Sequence, residues 1–329
     1  MNVGKVPESV LKRSIIKQIK TRRPEIITGA AVGEDCAAIR LEEGEVYVTS
    51  TDPITGTSHE IGALAVHVTA NDIASAGAEV IGVMLSVLLP DGTEEEELRS
   101  IMKQVEETCH ELNIQTIGGH TEVTRVVNQP VITVTGIGKV LRDKLVTTGG
   151  ARPGDDVVVT KWIGLEGTSI IAREMKDVLL GRFSPSFVDK AADFIKYLSV
   201  VPDSAVAVKH NVTAMHDVTE GGIFGALWEV AEASRTGLRI DLRSIPVRQE
   251  TIEICEVFGI NPYQLISSGS MLITSPNGHE IADALKEAGI NAAVIGKVTE
   301  GNDRILINGE ETRYLEPPKA DELYRIYEA

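Results

Sequence analysis

Between residues 45 and 140 the spacing of apolar side chains changes period repeatedly, and few folds accommodate such a pattern. In EVYVTSTDP, Val46, Val48, Ser50 and Asp52 fall on one side and Tyr47, Thr49 and Thr51 on the other. This alternation predicts a strand that stops at Pro53 and delivers Asp52 at its end. TSHEIGALAVHVTANDIASAGA opens with Thr57 and Glu60 in capping-box spacing and sets Ile61, Leu64, Ala65 and Val68 on one stripe, a helix ending near Gly77. VIGVMLSVLLP reads as a buried strand closed by the turn residues Pro90, Asp91 and Gly92. Leu98, Ile101, Met102, Val105, Cys109 and Leu112 restore helical spacing, with Glu94 to Glu97 loading the positive N-terminal end. NIQTIGG and PVITVTGIGKV are strand-like again, which leaves the GGHTE motif in a loop between them.

Strand, helix, strand, helix, strand, strand is an α/β (α+β) unit in which two helices cover one face of a single sheet. The other face keeps its apolar alternation and calls for a cover, most simply a second copy of the chain. A chain of 329 residues exceeds one ordinary core, and TTGGARPGDD, residues 147–156, has the composition of a linker. Two domains are therefore expected, 1–148 and 152–329. The second alternates too, with DVVVTKWIG, VTAMHDV, LRIDL and LISSGSMLITS as strands. Its helices are GTSIIAREMKDVLL, SFVDKAADFIKYL, IFGALWEVAEAS and HEIADALKEAG.

The formal net charge of −16 would repel a nucleic-acid backbone, so nucleic acid is not an expected partner. The N-terminus lacks the apolar core of a signal peptide and no segment is long enough to span a bilayer, so the expected location is cytoplasmic, away from membranes. Cys36, Cys109 and Cys255 are odd in number and widely spaced, which argues against both a disulfide framework and a cysteine zinc site.

Four stretches in the first domain place polar groups at element ends: GEDCAAI, STDP, TANDIAS and GGHTE. An isolated strand-end aspartate is ordinarily a turn former or a cap; their joint occurrence is what points to chemistry. Asn71 and Asp72 interrupt an apolar helical stripe, where a carboxylate is costly unless it pairs with an arginine or holds a cation. Magnesium, with one or two carboxylates plus phosphate and water oxygens, is the sharper of those two readings. TGAAVGEDC and the glycines at 118 and 119 expose backbone N–H groups suited to phosphate, although glycine is more often simply a turn residue. AMHDVTEGGIFGALWEV runs from strand into helix through Asp217, Thr219, Glu220, Gly221 and Gly222, which is either an anion seat at a helix N-terminus or an ordinary helix start. No P-loop, G-x-S-x-G or H-E-x-x-H motif occurs.

GEDCAAI, STDP, TANDIASAGA, IGGHTE and then HDVTEGG, in that order, resemble the aminoimidazole ribonucleotide (AIR) synthetase superfamily over nearly the whole chain. NDIASAGAEV, GGHTEVT and VPDSAVAVKHNVTAMHDVTEGG bring the resemblance closest to its HypE-like branch. The resemblance implies a homodimer whose N-terminal sheets pair into an intersubunit barrel, with a C-terminal α/β domain closing over ATP and Mg2+. It assigns Asp35, Asp52 and Asp72 to the metal. Gly33, Asn71, Gly118, Gly119, His120, Thr121 and Glu122, with Asp217, Thr219, Gly221 and Gly222 of the second domain, go to the nucleotide. His120 stands where several members have an acid, and Glu122 is the candidate substitute.

The implied activity is phosphorylation of an amide-type or other small or carrier-protein acceptor, with hydrogenase maturation proteins as partners. HypE members carry a carbamoyl group on a tail cysteine and dehydrate it. This sequence finishes DELYRIYEA with no cysteine beyond Cys255, so the resemblance carries the ATP chemistry further than the cyanide-ligand chemistry. Two alternatives follow: a small-molecule kinase or selenophosphate-synthetase-like enzyme, and a nucleotide-binding assembly scaffold without turnover.

Overall fold

The structure, a computed structural model, describes residues 1, 3–31, 36–54 and 60–327. Gly33, Asp35 and the predicted capping residue Thr57 lie outside the described residues. The chain divides into two compact units, Met1–Ala74 with Ala78–Leu145, and Ser75–Gly77 with Val146–Ala329.

The first unit begins with β1 (Gly4–Lys5) and α1 (Glu8–Val10), which runs on into a π-helical turn over Leu11–Ile16. A small two-stranded sheet, β2 (Ile26–Thr28) with β3 (Ala38–Ile39), precedes the main elements. These are β4 (Glu45–Ile54), α2 (Ile61–Ser75), β5 (Glu79–Pro90), α3 (Glu95–Glu111), β6 (Gln115–Thr124) and β7 (Val131–Leu141). The five-stranded sheet has the order β1-β6-β5-β7-β4, with β5 and β6 parallel and the remaining pairs antiparallel.

Two sequence expectations are corrected here. β4 does not stop at Pro53 but continues through it to Ile54. As the last strand of the sheet, it tolerates a residue with no N–H to donate. The GGHTE stretch is not a loop either; it lies inside β6, paired residue for residue with β5. A β-bulge accommodates it: Val83 pairs with Thr116 and Met84 with Gly118, so Ile117 is the extra residue, and the side chains beyond it are re-aimed. Gly119 follows at φ 145°, and a Cβ there would stand 2.1 Å from the Leu85 carbonyl oxygen, so only glycine fits.

Both long helices lie on one face, as the periodicity predicts. Ile73 and Thr69 of α2 pack on the bare backbone of Gly136 and Gly138 in β7, and the N-terminal turn of α2 abuts Ile101 and Gln104 of α3. Leu98, Ile101, Met102, Val105 and Cys109 are buried, while Glu95, in the first turn of α3, receives Arg13, Ser14 and Arg99. The opposite face presents Tyr47, Thr49, Thr51, Met84 and Ser86 to solvent. At one end of the unit, Arg23 holds the Glu25 carboxyl down at about 2, and Lys139 links Glu25 to Glu45.

The second unit is built on a seven-stranded sheet of order β14-β13-β10-β12-β8-β11-β9. In chain order its elements are β8 (Asp156–Thr160), α4 (Leu165–Glu174), α5 (Lys176–Leu180), α6 (Pro185–Ala192), α7 (Val201–Ala207) and β9 (Ala214–Val218). Then come α8 (Gly222–Ser234), β10 (Gly237–Asp241), α9 (Gln249–Phe258), β11 (Ser270–Ser275), α10 (Gly278–Glu287), β12 (Ala292–Thr299), β13 (Arg304–Asn308) and β14 (Glu311–Tyr314). β8 and β11 are buried along their whole length, which explains their unbroken apolar and small-residue runs. α8 supplies Ile223, Leu227 and Val230 to the sheet core. A second core, among α4, α5, α6 and α9, takes in Leu323 and Ile326 from the C-terminal segment.

Candidate functional site

The strand register fixes which predicted site residues share a face. Gly119, Leu85, Val134 and Asp52 are cross-strand partners in one row through β6, β5, β7 and β4, on the face that carries the helices. Asp52 meets α2 there. The Ser50 hydroxyl donates to Asp72 Oδ2 and stands 3.4 Å from Asp52 Oδ2. A hydroxyl has one hydrogen, so two carboxylates converge on one donor. The donor set is oxygen only, which suits a hard divalent cation such as Mg2+. Among the described residues no cluster of three or more His, Cys, Asp or Glu side chains forms a cation site, so a cation held by this pair would have to take its remaining ligands from phosphate or water. Asn71, the neighbour of Asp72, is wholly buried in α2.

At the other side of the same face, a cavity of about 150 Å³ is lined by Ile15, Ile16, Ile19, Leu85, Val87 and Met102, together with Gly118, Gly119, His120 and Thr121. The lining is mixed, aliphatic side chains with Lys5, Thr116, the glycine backbone and Thr121, so the cavity offers both apolar surface and polar groups. Asp52 and Gly119 are three inter-strand steps apart, about 14 Å at the usual strand spacing.

His120 and Glu122 point the other way. His120 is the register partner of Ser86, and Ser86 of Thr133, on the open face. The imidazole Nε2 and Glu122 Oε2 are 3.1 Å apart, and both side chains are partly exposed. One copy of the sheet therefore brings Asp52 and Asp72 together but does not bring His120 or Glu122 to them. Sequence spacing could not reveal this, because the bulge at Ile117 sets the facing.

In the second unit Asp217 is buried on β9, and the loop after it leads into α8. The Gly221 N–H donates to Asp321 Oδ2 at 2.7 Å and the Gly222 N–H to the Thr219 carbonyl at 3.1 Å. Gly222 has φ 59°, and a Cβ there would lie 2.7 Å from the carbonyl oxygens of both Tyr263 and Leu265. Its glycine is thus required by packing, and the Gly221 and Gly222 amides are already engaged within the protein. Asp321, which makes the strongest of these contacts, was beyond sequence reasoning; it lies a hundred residues away in an unremarkable polar run. Cys109 and Cys255 are buried and burial pushes both thiols up to about 12, so neither is a nucleophile near neutrality; Cys36 is exposed. No described helix is long and apolar enough to cross a membrane.

Comparison with known proteins agrees with this architecture. Residues 33–140 match the N-terminal domain of AIR synthase related proteins and residues 152–308 their C-terminal domain. A putative hydrogenase expression/formation protein of Methanocaldococcus jannaschii is 30% identical, covering 98% of this chain and 97% of that one. The carbamoyl dehydratase HypE of Rhizobium leguminosarum bv. viciae is 30% identical over 81% of this chain and 77% of its own. The crystal structure of hydrogenase maturation protein HypE in complex with ATP superposes with a TM-score of 0.80 at 21% identity, covering 98% of this chain and 97% of that one, which shows the shared fold. With both domain families present in order and a full-length relative at this identity, the chain belongs to the AIR synthase related family, beside the HypE hydrogenase maturation proteins.

Proposed function

We propose that the chain is a Mg2+-dependent, ATP-using enzyme of the HypE-like kind, acting as a homodimer. It would phosphorylate an amide-type or other small acceptor, free or carried on a partner protein of hydrogenase maturation. The observation that supports this most is the convergence of Asp52 and Asp72 on the Ser50 hydroxyl, on the same sheet face as a part-apolar cavity lined by Gly118 and Gly119. Asp52 and Asp72 would hold the cation, with Asp35 as the third carboxylate that the family resemblance assigns. When bound, Mg2+ neutralises the charge that develops on the transferred phosphoryl group. The protein's own part is to position: the cavity takes the base, the glycine backbone admits phosphate closely, and the carboxylates fix the cation.

The exposed face with Tyr47, Thr49, Thr51 and Met84 is where a second copy would lie. A copy set with its β6 beside β4 of the first would bring its own Gly118–Glu122 stretch toward the Asp52–Asp72 pair, which one sheet keeps apart. Cys109 and Cys255, buried and with raised pKa, would not carry the acceptor group.

Calorimetric titration of ATP with and without Mg2+ tests the reading, followed by product analysis with candidate acceptors. Metal-dependent binding and acceptor-stimulated ADP release are expected. Binding without any ADP release would favour the scaffold, AMP would favour selenophosphate-type chemistry, and a folded protein that binds no ATP would overturn both. Ser50→Ala removes the shared donor but neither carboxylate, and is expected to weaken the Mg2+-dependent part of ATP binding by about tenfold, the low end for a residue that orients metal ligands. Ser50→Thr, which keeps the hydroxyl, should restore it.

A further inference from the structure

The C-terminal segment grips the loop that leads into α8 at two points. Asp321, only 3% exposed, accepts N–H groups from Gly221 at 2.7 Å, Ile266 at 3.1 Å and Leu323 at 2.8 Å. Three residues on, the Tyr324 hydroxyl donates to Glu220 Oε1 at 2.9 Å. Leu323 and Ile326 anchor the segment among Ile171, Leu179, Ile254 and Leu265.

Glu166, in the first turn of α4 and 5% exposed, adjoins the gripped chain: the N–H of the next residue, Gly167, donates to the carbonyl of Ile266 at 3.1 Å, and Ile266 is itself one of the Asp321 donors. Ser268 serves its carboxyl through hydroxyl and backbone N–H, but Oε2 is buried with no hydrogen-bond partner among the described residues. The charged groups that act on it are Asp321 from the C-terminal segment and Glu220 from the loop, both acidic; Tyr324 and Ser268 are the neutral neighbours. Two buried carboxylates, Glu166 and Asp321, with the exposed Glu220 beside them cannot all be ionised at small cost, and one proton relieves the conflict. Burial pushes the Glu166 carboxyl up to about 7, and it raises Asp321 as well, against the pull of its three N–H donors.

We propose that Asp321 is the positioning residue of the Thr219–Gly222 loop and that its grip depends on a proton held by Glu166. With Glu166 neutral, Asp321 carries the only buried charge of the cluster and clamps the Gly221 and Ile266 amides. With Glu166 ionised, the repulsion falls on Asp321 and Glu220, the two side chains through which the C-terminal segment holds the loop, and the clamp loosens. The device needs no nucleotide, so it stands or falls apart from the ATP reading.

Amide hydrogen exchange at Gly221 and Ile266 in the full-length chain, corrected for the intrinsic rise with pH, is the test. Wild-type protection is expected to fall by about tenfold or more as the pH passes through about 7, the effect of one pKa unit of coupling. E166Q should hold the protection high and flat. E220Q, at an exposed position, removes one like charge and should move the midpoint to lower pH while Tyr324 keeps its acceptor. Flat wild-type protection, or a fall that survives unchanged in E166Q, overturns the proposal. If E166Q does not fold, an unmoved midpoint in E220Q does so.

Discussion

Asp52→Asn is expected to weaken Mg2+-dependent ATP binding by at least about 100-fold, the upper end of what even an indirect metal-site partner is worth. The substitution preserves size and a hydrogen-bond acceptor while removing one charge from the pair that meets across Ser50. What is lost is therefore the cation's share of the binding. The metal-free titration supplies the control within the experiment: without Mg2+ the variant should bind ATP no worse than wild type, because one source of repulsion toward phosphate is gone. Asp283→Asn, on the exposed side of α10, controls for net charge and should match wild type in both titrations. Equal losses with and without Mg2+ would mean that Asp52 supports the fold of the site and holds no cation.

The elements of the first unit were legible in the sequence because each obeys one period and buries one face. α3 is the clearest case: every buried apolar position it contributes was given by helical spacing, and its glutamate-rich start answers to the helix dipole and to Arg13. The facing of GGHTE was not legible. One extra residue at Ile117 reverses the strand's alternation, and no local signal distinguishes a bulge from a loop when two glycines follow. Asp52 and Asp72 were readable as unusual acids, but their meeting across Ser50 depends on the placement of α2 over the sheet. Pro53 misled for a different reason. Proline ends a central strand but not an edge strand, and edge position is a property of the whole sheet. The Asp217–Gly222 loop was read correctly as a strand-to-helix passage; its partner Asp321 is a tertiary contact that no spacing rule reaches.

Asp203→Ala is expected to cost about 3–5 kcal/mol of stability, the range for stripping the partner from a buried ion pair. Lys161 follows β8 with φ 53°, a conformation that a long side chain seldom adopts, and is held there by its N–H to the Asn291 carbonyl and by Asn291 Nδ2 to its own carbonyl. Its ammonium meets both oxygens of Asp203, at 2.9 and 2.7 Å, and the Ser199 carbonyl at 2.8 Å. The Asp203 side chain is 1% exposed and lies in the first turn of α7, where a negative charge is welcome. Burial pulls the lysine's pKa down while Asp203 pulls it up, and burial wins. Without Asp203 the lysine must be charged in a dry site or give up its proton. The folded pKa is then depressed further below the unfolded one, so the loss should be full near neutrality and shrink as the pH rises toward about 10. A cavity beside this pair, lined by Trp162, Lys196 and Tyr197, invites a functional reading of Lys161. Denaturant unfolding of Asp203→Ala and of Lys161→Met/Asp203→Leu separates the two roles. All three of the ammonium's hydrogens are already engaged by protein oxygens, which favours a structural pair. The double variant, with no buried charge left to strand, should then recover most of the stability and keep wild-type ATP binding. A stable double variant that had lost ATP binding would show instead that Lys161 serves the site.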